Sequence, residues 1–235
     1  MRDPSPVSAN VDIASAAQLF GDSARALMLD ALMDGEAHSA GELAARARIA
    51  ASTCSGHLRR LSDGGLVLCE TSGRRRLYRL ASADVAEALE ALGRLARPSA
   101  LRSLAAANRN EALGTARTCY DHLAGRFGVA VTDALLRRGA LVLEDGSFRV
   151  SARGCTMLEE LGVDVAAARG QRRAFARSCI DWSERRPHLA GSLGAAMLAA
   201  FLEHGWVRRC ATDRALAVTA HGRAQGLIHL GLEWS

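Results

Sequence analysis

The sequence of 235 residues contains no lysine, so all 30 of its basic side chains are arginines. Aromatic residues make up only 4% of the chain and there are four prolines, whereas alanine and leucine are abundant and favour helix. The formal net charge is +5 and the isoelectric point is near 9.2. This balance permits an acidic partner such as nucleic acid but does not identify one.

Long apolar runs are also missing, which excludes a membrane-spanning helix, and the first ten residues, MRDPSPVSAN, lack the apolar stretch of a secretory signal. The six cysteines, at positions 54, 69, 119, 155, 179 and 210, form no C-x-x-C pair and no zinc-finger spacing. We therefore predict a cytoplasmic protein with reduced thiols, most of them packed as small core residues. Residues 1–10 are predicted to be a loose tail.

Residues 11–98 carry a recognisable order of elements. Apolar periodicity, caps and turn residues predict helices at 12–20 and 23–33, a short helix capped by Ser39 and Glu42, and a further helix that begins near Ala51. Two strands, 66–71 and 75–80, follow around Ser72-Gly73, and then a helix covers 83–96. Helix, helix, helix-turn-helix, hairpin and helix is the order of a winged helix-turn-helix.

Three segments resemble the arsenic-repressor (ArsR) family of bacterial regulators: FGDSARALMLDAL, GELAARARIAASTCSGHLRRLSDGGLV and CETSGRRRLYRL. They occur in the family's order and spacing. The resemblance implies a DNA-binding domain over 11–98 that works as a homodimer on an inverted-repeat operator of double-stranded DNA. It also implies a dimer seam built from the helices at 12–20 and 83–96.

The basic residues of this domain are concentrated where DNA contact is expected. From Arg46 to Arg79 there are eight arginines against two carboxylates. Small polar residues at the start of the recognition helix allow it to enter the major groove, and three arginines at the hairpin tip suit phosphates or the minor groove. Alternatively, the arginine run is only a solvated hairpin tip. The candidate DNA-binding residues are Ser52, Thr53, Ser55, His57, Arg59, Arg60, Arg74, Arg75, Arg76 and Tyr78.

The family's known sensor positions are poorly matched. The helix GELAARARIA has no cysteine, and the last helix of the domain offers Asp84, Glu87 and Glu90 without a histidine. An effector site is therefore expected elsewhere in the chain.

The second half of the chain contains the same phrase twice. TCYDHLAG begins at Thr118, and SCIDWSERRPHLAG begins at Ser178 with six inserted residues; FRVSARG (148–154) later matches LAVTAHG (216–222). We predict a linker helix over 99–115 and a sensor or dimerisation domain over 116–235, made of repeats 116–170 and 176–235. Each repeat is predicted as helix, helix, strand, turn, strand, helix, a winged-helix-like unit, so the fold class is mainly α with short β-hairpins.

A pseudo-twofold axis between the repeats would bring the two phrases together. The candidate effector residues are Cys119, Asp121, His122, Cys179, Asp181, Trp182, Arg185, Arg186 and His188. Three roles fit them: a metal or metalloid site on Cys119, His122, Cys179 and His188, a thiol sensor of oxidants, or an organic-anion site with the arginines and aromatic walls. The alternative is plain packing of these side chains in a core.

The sequence therefore predicts a DNA-binding transcriptional regulator, a repressor whose operator binding is controlled by an effector or by thiol chemistry in the back domain. A protein-binding adaptor that keeps the winged helix as a scaffold is one alternative, and a constitutive regulator without an effector is another. An enzyme is disfavoured because the sequence has no nucleophile elbow, phosphate loop or cofactor fingerprint.

Overall fold

The computed structural model describes residues 11–97 and 103–234, so the predicted tail at 1–10 lies outside it. The front part has the predicted winged order. Its elements are α1 (Ile13–Phe20), α2 (Ser23–Leu32), β1 (His38–Ser39), α3 (Ala40–Ala47), α4 (Ala51–Asp63), β2 (Val67–Ser72), β3 (Arg75–Leu80) and α5 (Ala83–Leu95). Helices α3 and α4 form the helix-turn-helix, and β2 and β3 form the wing.

Local sequence explains where these elements begin. Asp22 caps α2, and Ser39 and Glu42 form the predicted capping box at the start of α3. The turn into α4 passes through Arg48, which adopts a left-handed conformation with φ of 54°. The wing strands and β1 pair in the order β1-β3-β2, over a core that includes Leu43 and Leu58.

The back part begins with α6 (Leu104–Thr115), which falls in the predicted linker. Then come β4 (Arg117–Cys119), β5 (His122–Ala124), α7 (Gly125–Arg137), β6 (Leu141–Glu144), β7 (Ser147–Val150), α8 (Ala152–Glu160) and α9 (Val165–Arg169). The chain continues with β8 (Arg177–Ile180), β9 (Pro187–Ala190), α10 (Gly191–Glu203), β10 (Val207–Arg209), β11 (Leu216–Val218), a π-helical turn (Gly222–Gly226) and α11 (Leu227–Leu230). Hairpin, helix, hairpin, helix is thus the order on both sides of α9.

The two related phrases form β-hairpins, and the prediction of helices there was wrong. Strand β4 pairs with β5, and β8 pairs with β9. Strand β8 also pairs with β7, so β6, β7, β8 and β9 form one four-stranded sheet. The strands of the first hairpin are buried on both faces, so their residues lack the 3.6-residue apolar period of a surface helix. The first hairpin closes through Tyr120, whose φ is 63°. We refer to β4–β5 and β8–β9 together as the twin hairpins.

The twin hairpins lie against the front domain. Cys119, Ala124, Cys179 and Ala190 belong to the same apolar core as the helices of the front domain. The main-chain N–H of Tyr120 donates to the carbonyl of Met33 over 2.8 Å, and the Thr118 hydroxyl donates to the same carbonyl over 3.1 Å. The end of α2 is therefore fixed by the first hairpin.

The apolar core of the back part is separate. It gathers side chains from α7, α8, α10 and the strands between them, with Phe127 and Phe201 near its centre. Within residues 11–97 and 103–234, no helix combines the length and the apolar character that a membrane crossing needs.

Candidate functional site

Helix α4 presents a polar face to solvent. The side chains of Ser52, Thr53, Ser55, Arg59 and Arg60 are exposed, whereas Cys54, Leu58 and Leu61 point into the core. His57 is only half-buried, and its Nδ1 lies 3.9 Å from an oxygen of Asp22. The helix therefore leaves small hydroxyls and two guanidinium groups free for a ligand.

The wing carries its arginines at an exposed tip. Arg74, Arg75 and Arg76 are all exposed, and the Nε of Arg76 donates to the Cys69 sulfur over 3.3 Å. Tyr78 does not join them. It is only 8% exposed and belongs to the core, so its prediction as a DNA-binding residue is corrected. Arg76 lies on the same face of β3, two residues nearer the tip, and its guanidinium carbon lies 5.9 Å from the Tyr78 ring centroid.

Each of the twin hairpins places one cysteine directly opposite one histidine. Cys119 faces His122 across β4–β5, and Cys179 faces His188 across β8–β9. Directly opposed residues of an antiparallel pair project to the same side, with their Cβ atoms close together. Each hairpin therefore supplies one sulfur and one imidazole on one face.

The two faces meet, so the four side chains form one buried cluster. The sulfurs of Cys119 and Cys179 lie 3.9 Å apart, and the Nε2 atoms of His122 and His188 lie 3.1 Å apart. All four ligand atoms lie within 4.8 Å of one another, and all four residues are buried. We call this set the Cys–His cluster; the repeat predicted that the two cysteines would face each other.

The electrostatics of the cluster favour a thiolate. The hydrogen bond from Cys119 lowers the pKa of Cys179, with further lowering from His122 and His188, although burial acts in the opposite direction. The same hydrogen bond, together with burial, raises the pKa of Cys119, which acts as the donor. Burial opposes the imidazolium of His122, but hydrogen bonds to Asp121 and Cys179 outweigh it and raise its pKa to about 8. The thiolate form is therefore favoured at Cys179 and the thiol form at Cys119.

Each histidine of the cluster has an aspartate near its Nδ1 atom. An oxygen of Asp121 lies 3.2 Å from the Nδ1 of His122, and Arg173 donates to the other oxygen over 2.6 Å. Asp181 is fully buried, with one oxygen 4.0 Å from the Nδ1 of His188. Burial opposes its charge, but Arg117, hydrogen bonds from Ser183 and main-chain N–H groups hold the pKa of Asp181 well below its usual range.

The remaining predicted effector residues lie away from the cluster. The ring of Trp182 stacks under the Arg117 guanidinium, with 4.6 Å between the guanidinium carbon and the ring centroid. Arg185 and Arg186 are exposed, and Arg186 pairs with Asp133. The insertion that carries these residues lies between β8 and β9, and its arginines do not converge with the cysteines. The geometry therefore gives no support to an organic-anion site made jointly by these groups.

A buried ion network beside the cluster was missed from the sequence. Arg117 is 0% exposed and pairs with Asp181 over 2.9 Å and with Glu90 over 3.7 Å. Arg214 bonds Asp30 over 2.9 Å and also approaches Glu90. The sequence did contain one indication of this network, because an arginine precedes each repeated phrase at the same position, Arg117 in the first and Arg177 in the second.

Both of these arginines reach α5. Arg117 pairs with Glu90, and Arg177 pairs with Glu87, one helical turn away. A cavity of about 240 Å³ lies next to the Cys–His cluster, and its lining includes Glu87, Arg177, Asp121 and Arg173. The cluster, the cavity and the last helix of the front domain are therefore adjacent.

Comparison with known proteins gives a family for this arrangement. A family model described as a helix-turn-helix domain matches residues 20–70. An uncharacterized HTH-type transcriptional regulator of Bacillus subtilis strain 168, YdfF, is 41% identical over 224 residues, which cover 95% of this chain and 99% of the relative. That name is consistent with the prediction that the chain is not an enzyme.

Solved structures match over about a third of the chain. NolR from Sinorhizobium fredii is 28% identical, with a TM-score of 0.33, and the match covers 35% of this chain and 82% of NolR. The cadmium metal-sensor CMTR from Mycobacterium tuberculosis is 29% identical, with a TM-score of 0.30, over 38% of this chain and 99% of CMTR.

The match to YdfF spans nearly the full length of both chains, and the family model falls on the segment that folds as the helix-turn-helix. The chain belongs to the helix-turn-helix transcriptional regulators, and its front domain folds as a winged helix-turn-helix.

Proposed function

We propose that the chain is a homodimeric repressor that binds double-stranded DNA through α4 and the wing and is released by an effector acting on the twin hairpins. One observation carries the DNA-binding part: the exposed face of α4 and the exposed arginines of the wing tip belong to one winged helix-turn-helix. In this motif the recognition helix enters the major groove, and arginines outside it neutralise phosphates.

The dimer is supported by apolar side chains on the helices of the predicted seam. Ile13 of α1 is 73% exposed and Leu95 of α5 is 82% exposed, with Val11 and Leu92 also uncovered. A second copy would cover this surface symmetrically. A twofold dimer then places two recognition helices on an inverted repeat whose half-sites are about one helical turn apart.

Effector control is supported by the way the back domain holds the front domain. We infer that residues 116–235 arose by duplication, because both repeats supply a hairpin in which cysteine opposes histidine and an arginine that reaches α5. A chemical change at the Cys–His cluster therefore acts on the predicted dimer seam. Changes in the seam would alter the spacing of the two recognition helices.

The first experiment measures binding of the purified full-length protein to labelled duplex DNA from the region upstream of its own coding sequence. Fluorescence anisotropy at several salt concentrations should show affinity that falls steeply with salt, because several phosphates are neutralised. The variant Arg59→Ala with Arg60→Ala should bind weakly, and Arg149→Ala, an exposed arginine of the back domain, should bind normally. Absence of duplex binding at low salt would favour the adaptor instead.

Effector control is tested on the same duplex with the reduced protein, with an oxidant and with added metal ions. The matched sample is the double variant Cys119→Ser with Cys179→Ser. We expect at least one treatment to release the wild type from DNA and to leave the double variant bound. Indifference of the wild type to every treatment would make it a constitutive regulator. A reporter gene behind the bound region separates repression from activation.

A further inference from the structure

We propose that Cys119, His122, Cys179 and His188 form a closed tetrahedral site for a thiophilic divalent cation of the Zn²⁺ type. The proposal of the site itself rests on the geometry of the Cys–His cluster alone. Its regulatory consequence, given below, rests on the proposed function.

The distances match the size of such an ion. Zn²⁺ binds thiolate sulfur at about 2.3 Å and imidazole nitrogen at about 2.0–2.1 Å, so a regular tetrahedron places two sulfurs ~3.8 Å apart and two nitrogens ~3.4 Å apart. The observed separations are 3.9 Å for the sulfurs and 3.1 Å for the nitrogens. The remaining separations stay within 4.8 Å, so small side-chain shifts would bring all four atoms within bonding distance of one central ion.

The ligand types select the class of cation. Two sulfurs and two imidazoles are a ligand set of structural zinc sites, whereas Ca²⁺ and Mg²⁺ require oxygen ligands. All four residues are buried, and four protein ligands are the full set of a structural zinc site; Cys119, His122 and Cys179 also line the adjacent cavity. The site is therefore of the kind that holds an ion in place, rather than one that leaves a position open for a reacting water.

Each histidine has a carboxylate on its far side, which is the arrangement that orients metal-bound imidazoles. Asp121 accepts from the Nδ1 of His122, so the Nε2 of that ring, which faces the Nε2 of His188, is the nitrogen that an ion would bind once its proton is displaced. Among the described residues, the Nδ1 of His188 has no hydrogen-bond partner, although an oxygen of Asp181 lies 4.0 Å away.

The origin of the four ligands also argues against chance packing. They come from two hairpins separated by about 60 residues, and each hairpin contributes the same cross-strand pair. A disulfide would use only the two sulfurs, whose separation of 3.9 Å is well above the ~2.05 Å of an S–S bond. A single ion uses the sulfurs and the imidazoles together.

An ion in this site would fix the twin hairpins to each other and, through them, to the front domain. The residue after Cys119 is Tyr120, whose N–H donates to the Met33 carbonyl at the end of α2. The neighbouring Asp34 bonds Arg46 of α3 over 2.9 Å. Hydrogen bonds and packed backbone thus connect the ion site to the helix-turn-helix. We infer that binding of an ion to the Cys–His cluster changes the affinity of the protein for DNA.

The test uses the full chain after removal of metal by a chelator under reducing conditions. Zn²⁺ is titrated against a chromophoric competitor, and Co²⁺ is titrated with an absorption readout. We expect one ion per chain, and for Co²⁺ the intense visible bands of tetrahedral geometry together with a thiolate charge-transfer band. Cys119→Ser and His188→Ala should each weaken Zn²⁺ binding at least ~100-fold. Cys69→Ser, in the exposed wing, and Cys155→Ser should bind as the wild type does.

Circular dichroism of each variant shows whether it is folded, and the Co²⁺ spectrum of the wild type tests the site even if a variant is not. Octahedral Co²⁺ bands, absence of a thiolate band, or equal loss of binding in Cys69→Ser would overturn the site. A disulfide that forms in the apo protein without any metal affinity would overturn it in favour of thiol oxidation.

DNA binding of the apo and Zn²⁺-loaded wild type then separates the site from the proposed function. A change of at least ~10-fold in DNA affinity, one factor of ten in the binding constant, supports regulation by the ion. Tetrahedral binding with unchanged DNA affinity would confirm the site and overturn its regulatory consequence. Absence of ion binding in a protein that still binds DNA would overturn the site and leave the DNA-binding regulator intact.

Discussion

The wing (β2–β3) and the twin hairpins are all two-stranded antiparallel hairpins, but they differ in the burial of their arginine and cysteine side chains. The wing exposes Arg75 and Cys69, while the first twin hairpin buries Arg117 and Cys119 completely or almost completely. An exposed guanidinium remains free to bind a phosphate, whereas a buried one must be paired with carboxylates or it destabilises the fold. Burial, rather than secondary structure or residue type, therefore decides which of these arginines are available to bind a partner and which must be paired inside the protein.

The largest effect is expected from breaking the buried pair. Arg117→Met removes the partner of Asp181 and one partner of Glu90, and leaves both carboxylates in the interior. We expect a loss of about 3–5 kcal/mol in the free energy of unfolding, the usual cost of an uncompensated buried charge. Urea denaturation measures this loss.

The matched control is Arg149→Met in the β6–β7 hairpin, where an exposed arginine pairs with Glu144. Exposed pairs contribute about 0–1 kcal/mol. Equal losses in the two variants would show that burial does not distinguish these hairpins.

The next effect concerns the backbone contact between the front domain and the first twin hairpin. Gly35 has a φ of +77°, and a Cβ there would lie 2.4 Å from the Tyr120 carbonyl oxygen. Gly73 at the wing tip has a φ of +60° with open space around it. Gly73→Ala should cost about 1 kcal/mol from its left-handed backbone alone, and Gly35→Ala at least ~2 kcal/mol because the backbone must also shift. Thermal denaturation of both variants compares them, and equal shifts would remove the close approach as a cause.

A smaller effect, visible only in binding, is expected at the wing. Arg74→Ala with Arg75→Ala should weaken DNA binding on every sequence and reduce the slope of log affinity against log salt by about 1 per arginine. Both side chains are exposed, so the melting temperature should not move. Anisotropy at four or more salt concentrations measures the slope; an unchanged slope would exclude the wing from the DNA contact.

The smallest effect is expected at Asp34, and it depends on pH. Burial opposes its charge, but hydrogen bonds from His38 and the Glu36 N–H, together with Arg46, hold the pKa of Asp34 below its ordinary value. A lowered folded pKa contributes stability that is present above the unfolded value near 4 and is lost as pH falls through the folded value. Asp34→Asn should therefore be less stable than the wild type by about 1–2 kcal/mol at pH 7. The two curves should approach each other as pH falls from about 4 through the lowered folded pKa of Asp34, and a difference that stays constant over the whole acid range would contradict this account.

Much of the front domain was predictable because its signals are local. The Ser39–Glu42 capping box and the turn at Ser72-Gly73 lie within a few residues of the elements they define. The twin phrases were found through internal similarity, yet their secondary structure was predicted wrongly. Short strands that are buried on both faces show no alternation of apolar and polar residues. Their conformation depends on the strands they pair with and on packing against the front domain, which the local sequence does not reveal.

The candidate site was also predicted only in part from the sequence. The repeated phrase predicted that Cys119 and Cys179 face each other, and their sulfurs lie 3.9 Å apart. It also grouped Trp182, Arg185 and Arg186 with them, whereas the insertion carries these residues away from the sulfurs. The network of Arg117, Glu90 and Arg214 depends on three elements that are distant in sequence, so only the packed structure reveals it.

Four small residues of the twin hairpins, Cys119, Ala124, Cys179 and Ala190, complete the apolar core of the winged domain. A fragment that ends after α5 would leave the matching surface around Met33 and Ala86 open to water. We therefore expect the intact chain to lose its two parts in one cooperative unfolding transition, and isolated fragments to aggregate. The two parts are therefore not exchangeable modules. A winged domain taken from another regulator would pack against the twin hairpins only if the small residues at this contact were changed to match its surface.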